Sequence, residues 1–488
     1  MAPTPTIEQQ SVIDAYLTGK NLVIEAGAGA GKSSTLRMCS AATRGRKGLY
    51  LAYNKSIQTD AAKSFPSDVT CKTAHSLAFG AVGRLYARRL KAPRMRALDI
   101  AKALKINDPI RVSELLISPQ MLARVVMVTV ARFCQSGHAD IALQPVPRLT
   151  GLDDPDTMAA LRQVIPPLAA VAWTDICRTD GRLPFSHDAY LKIWSLSGPQ
   201  LPYDYVLLDE AQDSNPPVIS IVEGQRNAQK IIVGDSAQSI YGWRGSVNAM
   251  TSFDGVRLTL SQSFRFGEAV AAEANKWLDI LDAPLRLTGF DQINSRIDLL
   301  PDPDAILCRT NAATLRHAVE QMEAHRRVSI VGGGSQIKSL AEAAIQLKAG
   351  AGCAHPELFA FQNWGQVQDY VEQEESGSDL APMVKLIDQF GPDEIISLIE
   401  GLSAEDRADV VLSTAHKSKG REWHRVRIAD DFPEPKPAAD GKPGRVSASD
   451  AMLAYVTVTR AQFVLDRGGL SWVDGYAKPA SENANDNA

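Results

Sequence analysis

The sequence predicts an α/β protein built on two mostly parallel sheets flanked by helices, and three observations carry that reading. Short, continuously apolar runs rich in β-branched residues alternate with helical stretches, as strands covered on both faces require. These runs fall into two groups along the chain, and each group is interrupted by a segment of helical period. A Gly-rich turn joins the first run directly to a helix, which is where such folds place a ligand.

In chain order, the first group of predicted strands covers Asn21 to Glu25, Gly48 to Tyr53, Tyr205 to Leu208 and Lys230 to Val233. The second covers Ala305 to Cys308, Val328 to Val331, Val410 to Ser413 and Phe463 to Leu465. Patterns such as MLARVVMVTVARF make the stretch from about 80 to 200 helical, and a shorter helical and polar stretch spans about 345–405. Both read as insertions into the two sheets. PEPKPAADGKPGR (433–445) reads as a surface loop, and SENANDNA as a polar, disordered end.

Composition narrows the classes. The 488 residues carry 52 Lys+Arg against 56 Asp+Glu, for a net charge of -4, with 45% apolar residues. Disordered and collagenous chains are excluded, and no whole-protein basic field exists, so nucleic-acid binding must come from local patches. Cys39, Cys71, Cys134, Cys177, Cys308 and Cys353 form no C-x-x-C pair, which argues for reduced thiols and against a zinc ribbon or a disulfide framework. MAPTPTIEQQ has no basic stretch followed by an apolar one, and Arg124 and Pro166–Pro167 break the longest apolar stretches. A cytoplasmic protein without a membrane segment is the expectation.

NLVIEAGAGAGKSSTL carries the clearest chemistry. Between strand and helix, the backbone N–H groups of Ala26, Gly27, Ala28, Gly29, Ala30 and Gly31 can surround phosphates. Lys32 can reach the terminal phosphates, and the Ser33 hydroxyl, next to Ser34, can ligate Mg2+. Ala26 stands where the general pattern has glycine. Downstream, YVLLDEAQD ends a strand on Asp209, placed to complete a magnesium site, and Glu210, placed to orient and deprotonate water. The strand–loop–helix context and the intact GKS argue against a chance Gly-rich turn, and a D-E pair at a strand end, commonly a solvated surface when alone, becomes an ATPase signal beside that phosphate loop. Hydrolysis also needs positive charge on the γ-phosphate, and Arg265 in LSQSFRF and Arg460 in YVTVTRA stand in suitable contexts that composition alone does not distinguish from those of structural arginines.

Read in order, TIEQQSVI, AGAGAGKSS, TAHSLA, LLDEAQD, VGDSAQSIYGWRGS, LSQSFRF, TAHKSKGREW and YVTVTRA resemble the motifs of superfamily 1 helicases of the UvrD/Rep/PcrA type. YNKSIQTDAAKSFP, CKTAHSLA and SHDAYLKIWSLSGP are similar to the helicase part of the F-box DNA helicase family, and the likeness is expected to be to that motor alone. The resemblance implies two RecA-like domains with an ATP cleft between them. Domain 1A would take residues 1–80 and 201–262, with a helical insertion 1B at 81–200. Domain 2A would take 263–344 and 406–475, with a reduced 2B-like insertion at 345–405 and a disordered tail at 476–488.

It also implies roles. Gln9 would read the adenine edge and Phe264 stack on it, Glu422 would contact the ribose, and Gln238 would sense the γ-phosphate. Arg265 and Arg460 would be the arginine fingers. ATP and Mg2+ are the implied cofactors; single-stranded and tailed duplex DNA is the implied partner, with single-strand-binding or recombination proteins beside it. DNA would follow a track of aromatics interleaved with cations: Asn54, Lys55, His75, Tyr241, Trp243, Arg244, His416 and Lys417. Against core packing for a lone Trp, the adjacent Arg244 favours base stacking by Trp243; against a structural His, the paired T-A-H triplets favour phosphate contact.

GRLYARRLKAPRMR, residues 83–96, carries six basic residues and no acidic one, either a grip on duplex DNA or a solvated helix face. The implied activity is ATP-dependent DNA unwinding with 3′-to-5′ movement, in repair, recombination or replication. A translocase that strips proteins from DNA is the alternative, because 345–405 is short for a 2B domain. A P-loop switch or scaffold without movement is disfavoured by Glu210, Gln238 and the two arginines, and the 28 residues after Arg460 are expected to be too few for a nuclease domain.

Overall fold

A computed structural model describes residues 4–93, 95–112, 115–240, 248–373, 380–436 and 444–476. Beyond Tyr476 the expected disordered tail lies outside the described residues, as does Arg94 of the basic segment.

The first sheet contains β1 (Leu22–Ala26), β2 (Gly48–Ala52) and β3 (Val69–Thr73). A separate antiparallel pair, β4 (Ile110–Val112) and β5 (Leu115–Ile117), follows within the first inserted segment. The chain then returns to the first sheet with β6 (Tyr205–Leu208), β7 (Gln229–Gly234) and β8 (Val256–Leu260). All neighbours in the sheet are parallel, in the order β3-β2-β6-β7-β1-β8. The second sheet, also parallel, contains β9 (Arg296–Ile297), β10 (Ala305–Cys308), β11 (Val328–Ile330), β12 (Val410–Thr414), β13 (Trp423–Ile428) and β14 (Ala461–Asp466). Its order is β11-β12-β10-β13-β14-β9.

Alternation along the strands explains why continuous apolar runs were needed. Leu22, Ile24 and Ala26 of β1, with Tyr50, Tyr205, Leu207, Ile231 and Val233, pack on one face against Val12, Tyr16 and Leu36. Val23, Leu49, Leu51, Val206, Leu208 and Ile232 fill the other face, together with Leu122, Val126, Phe133, Leu161 and Ile165 of the inserted segment. The first insertion therefore shares a core with the sheet. Helices Ser335–Lys348, Trp364–Gln373, Ala381–Phe390 and Pro392–Glu400 do the same for the second sheet through Ile306, Cys308, Ile330 and Leu412.

The two insertions touch. Arg124 lies 4.8 Å over the Phe359 ring and donates to the Cys353 carbonyl at 3.4 Å.

The strands not anticipated are β3, β8, β9 and β13, and the hairpin β4–β5. Arg257 in β8, and Arg425 and Arg427 in β13, break the apolar pattern. Their charges are met locally, since Arg425 donates to Asp304 at 2.7 and 3.0 Å and Arg257 to the Met250 and Thr251 carbonyls.

The basic segment divides by role. Arg89 is turned inward, with its guanidinium donating to the carbonyls of Ile176, Arg178 and Leu183 at the C-terminus of helix Pro155–Cys177, where positive charge suits the helix dipole. Arg96 pairs with Asp99, whereas Arg84, Arg88 and Lys91 are exposed. No described helix is long and apolar enough to cross a membrane.

Candidate nucleotide cleft and nucleic-acid track

The carboxyl ends of three adjacent strands, β6, β7 and β1, converge on one cleft of about 410 Å³. Its wall combines the turn after β1, the carboxylates after β6, Gln238 after β7, and Arg265, Lys419, Gly420 and Arg460 from the chain around the second sheet.

Ala26, the departure from the glycine pattern, is the last residue of β1, wholly buried and paired with Leu260, so its methyl group belongs to the core. The conformational need for glycine lies further on. Gly29 and Gly31 have φ of 75° and 73°, and a Cβ on Gly29 would meet the Ser263 hydroxyl at 2.5 Å and the Arg265 Cβ at 2.7 Å. Gly27 donates to Leu260 and Gly29 accepts from Phe264, which fixes the turn against the strand that follows it in space. Ala28 donates to the Tyr455 hydroxyl at 3.2 Å, while Ala30 is buried and Ser34 lines the cleft.

At the start of helix Lys32–Ala42, Lys32 Nζ lies 3.0 Å from the Glu210 carboxylate. The Ser33 hydroxyl donates to Asp209 Oδ2 at 3.0 Å, and Tyr50 donates to the same oxygen at 2.5 Å. Ser33 and Asp209 thus offer two hard oxygen ligands side by side, the kind Mg2+ takes when phosphates and water complete its octahedron. Burial and the neighbouring Glu210 push the Asp209 carboxyl up. Burial also acts to raise Glu210, but Lys32 and Lys419 outweigh it and hold that carboxyl down to about 2. Glu210 is ionised and sits in left-handed backbone at φ 52°, an uncommon conformation for a residue with a side chain. Gln212 donates to it at 2.6 Å.

Gln238 is buried and donates to Asp235 at 2.5 Å. Asp235 in turn accepts from Tyr455 of helix Ala448–Val458 at 3.0 Å. Lys419 donates to the Gln238 carbonyl at 2.5 Å and also pairs with Asp213. Burial pushes the Asp213 carboxyl up to about 6 even though Lys419 pulls it down.

Arg265 donates from Nε to Glu422 at 2.5 Å and from Nη1 to the Thr459 carbonyl at 3.3 Å. Glu422, also held by Gln462, thereby anchors this arginine. Arg460 is 1% exposed; it donates to the Val456 and Arg421 carbonyls and to the Thr459 hydroxyl, and burial beside Arg265 lowers it to about 9. At the other end of the turn, Gln9 is buried, bonded to Thr6 and Thr35, and reaches Gly31 beside the Phe264 ring, which is 38% exposed.

The residues expected along the nucleic-acid track are divided. Asn54 caps helix Lys55–Ser64 and lines the nucleotide cleft, and Lys55 bonds Gln58 at 2.6 Å. The two T-A-H triplets have matching settings. Thr73 ends β3 and caps the helix bearing His75, and Thr414 ends β12 and caps the helix bearing His416 and Lys417. Burial lowers the Lys417 ammonium. Tyr241, Trp243 and Arg244 lie outside the described residues.

Residues 196–254 match the family model for the UvrD/REP helicase N-terminal domain. The chain is 28% identical to F-box DNA helicase protein 1 of Schizosaccharomyces pombe over 94% of this chain and 56% of that protein. It is also 28% identical to F-box DNA helicase 1 of Gallus gallus, over 94% of this chain and 48% of that protein. Over a shorter stretch, 16% of this chain and 11% of the relative, it is 34% identical to the ATP-dependent DNA helicase PcrA of Leuconostoc citreum. The chain spans about half the length of the two F-box DNA helicases it matches.

Proposed function

From a chain that resembles UvrD-like superfamily 1 helicases in its motifs, its paired parallel sheets and its relatives, we propose that it is an ATP-driven DNA motor that moves 3′ to 5′ on single strands and separates duplexes. The observation that carries the reading is the shared cleft, where Lys32, Ser33, Glu210 and Gln238 face Arg265, Lys419 and Arg460 across one cavity.

In this reading ATP phosphates draw Lys32 from Glu210, which frees the ionised Glu210 to orient and deprotonate water. Ser33 and Asp209 would hold Mg2+, which would supply positive charge against the phosphates. Arg265 stabilises the phosphate charge that develops, from a position fixed by Glu422 and the Thr459 carbonyl, with Arg460 behind it. Gln9 and Phe264 border the adenine. Gln238, joined to Lys419 through its carbonyl, ties the state of the phosphates to the second lobe. ATP binding closes the lobes, and hydrolysis reopens them, around a strand held at the two T-A-H sites.

The test is ATP-dependent unwinding of duplexes with a 3′ or a 5′ single-stranded tail, with Glu210→Gln as the control. Unwinding of the 3′-tailed duplex alone, lost in the control, supports the reading. Strand movement without unwinding favours a translocase that clears proteins from DNA. Hydrolysis that DNA does not stimulate refutes both.

A further inference from the structure

The segment SHDAYLK, which the nucleotide site does not use, is built against the first T-A-H triplet. Ser186 caps helix His187–Leu196 and sets Asp188 in its first turn. Asp188 Oδ1 lies 3.0 Å from His75 Nε2, and its other oxygen accepts from Gln135 at 2.9 Å, at the end of helix Pro119–Gln135. Tyr190 is buried, and its ring makes T-shaped contacts with both His75 and Phe79, at 6.2 and 5.9 Å between centroids. Two residues further on, Lys192 donates to the carbonyls of Ser136 and His138. Three helices are therefore fastened around one imidazole.

We infer that Asp188 is the positioning residue of the nucleic-acid track: it fixes the ring orientation with which His75 meets a strand. This rests on the track assignment of His75 made above. An ionised carboxylate only accepts, so His75 Nε2 carries a proton and Nδ1 is left to face the strand; a phosphate oxygen also only accepts, so it is met by Nδ1–H of the doubly protonated ring. Burial acts to raise Asp188, but the hydrogen bonds from His75 and Gln135 leave its carboxyl below the usual range, so it is ionised at neutral pH. His75 is 41% exposed, so the oriented ring is within reach of a ligand.

The experiment uses the whole chain and reads oligo-dT stimulation of ATP hydrolysis. Asp188→Ala should raise the half-saturating oligo-dT concentration about tenfold, the scale of one charge-assisted hydrogen bond, and leave that for ATP within about twofold. Asp188→Asn should recover most of the loss, because asparagine keeps an acceptor for His75 while the Gln135 amide turns over to face its NH2 group. In a His75→Ala background, Asp188→Ala should add nothing.

An Asp188→Ala effect that persists without His75, or no effect in the parent chain, overturns the inference while leaving the motor intact. Hydrolysis that oligo-dT does not stimulate in the unsubstituted protein overturns the motor reading, and this inference with it.

Discussion

Lys419→Met removes one charge from the seam between the lobes and leaves the aliphatic stem, so its effect can be bounded from the surroundings. The ammonium pairs with Asp213 and donates to the Gln238 carbonyl, and its side chain is 9% exposed. Truncating one partner of a buried pair ordinarily costs about 3–5 kcal/mol, because a charge is stranded. Here the stranded charge can neutralise itself. Asp213 is already pushed up to about 6, so without Lys419 its carboxyl rises past neutral pH and takes a proton. From that point the penalty stops growing, which limits the added electrostatic cost to about 1.4 kcal/mol, one pH unit. The Gln238 carbonyl loses a donor for about 1 kcal/mol more. The expected loss is therefore about 2–3 kcal/mol, read as a shift in the urea midpoint at neutral pH. It should shrink at about pH 5, where Asp213 is protonated in the parent as well. Adding Asp213→Asn should restore about half of the lost stability but not the rate of hydrolysis. A pH-independent loss of about 5 kcal/mol, or a double variant no more stable than Lys419→Met, would refute the reasoning.

Four further outcomes are expected. Glu210→Gln should lower the turnover of DNA-stimulated hydrolysis by about 10²–10⁴ while nucleotide binding, followed with a fluorescent analogue, persists. Ser33→Ala should raise the Mg2+ concentration needed for half-maximal hydrolysis, and chelation should stop hydrolysis in the parent chain. Phe264→Ala should raise the half-saturating ATP concentration several-fold, as loss of about 1 kcal/mol of stacking predicts, with turnover less affected. Asp213 binds a proton more tightly folded than unfolded, about 6 against the usual 3.8, so its contribution to stability should grow as pH falls through that window, by up to about 3 kcal/mol. Titration of the urea midpoint with and without Asp213→Asn isolates it.

The legible parts of this fold are those whose signal is local. Strands buried on both faces read as unbroken apolar runs, so β1, β2, β6, β7, β10, β11, β12 and β14 were visible, and the turn after β1 announced itself by its glycines. β13 was not, because Arg425 and Arg427 look like surface residues until Asp304 and Asp466 are placed beside them. Arg89 misled in the opposite direction: within a basic run it reads as part of a duplex grip or a solvated helix face, and only the chain returning at 176–183 shows its donors turned inward. Tyr50, Gln212, Asp235, Lys419 and Tyr455 were missed for the same reason. Tyr50 lies 159 residues from the Asp209 it orients, and Tyr455 lies 220 from Asp235. A lone tyrosine or lysine is usually core or surface, so pairing alone gives these residues meaning.

Those missed residues also explain how a change at the phosphates reaches the second lobe. Glu210, Asp235 and Asp209 all favour the charged form of Lys32, so its ammonium is the shared counter-charge of the carboxylates behind the cleft. Two of those carboxylates face across the lobes: Asp235 accepts from Tyr455, and Glu210 acts on Lys419. A phosphate that engages Lys32 adds negative charge beside these carboxylates and competes for their common cation, so each must lean harder on its remaining partner. Those remaining partners belong to the second lobe. Lys419 and Tyr455 are attached to segments that also carry Glu422 and Arg460, so tightening one contact would move Arg460 and the Glu422 that anchors Arg265. Coupling of this kind needs no long path through the protein, because the seam and the cleft are built from the same side chains.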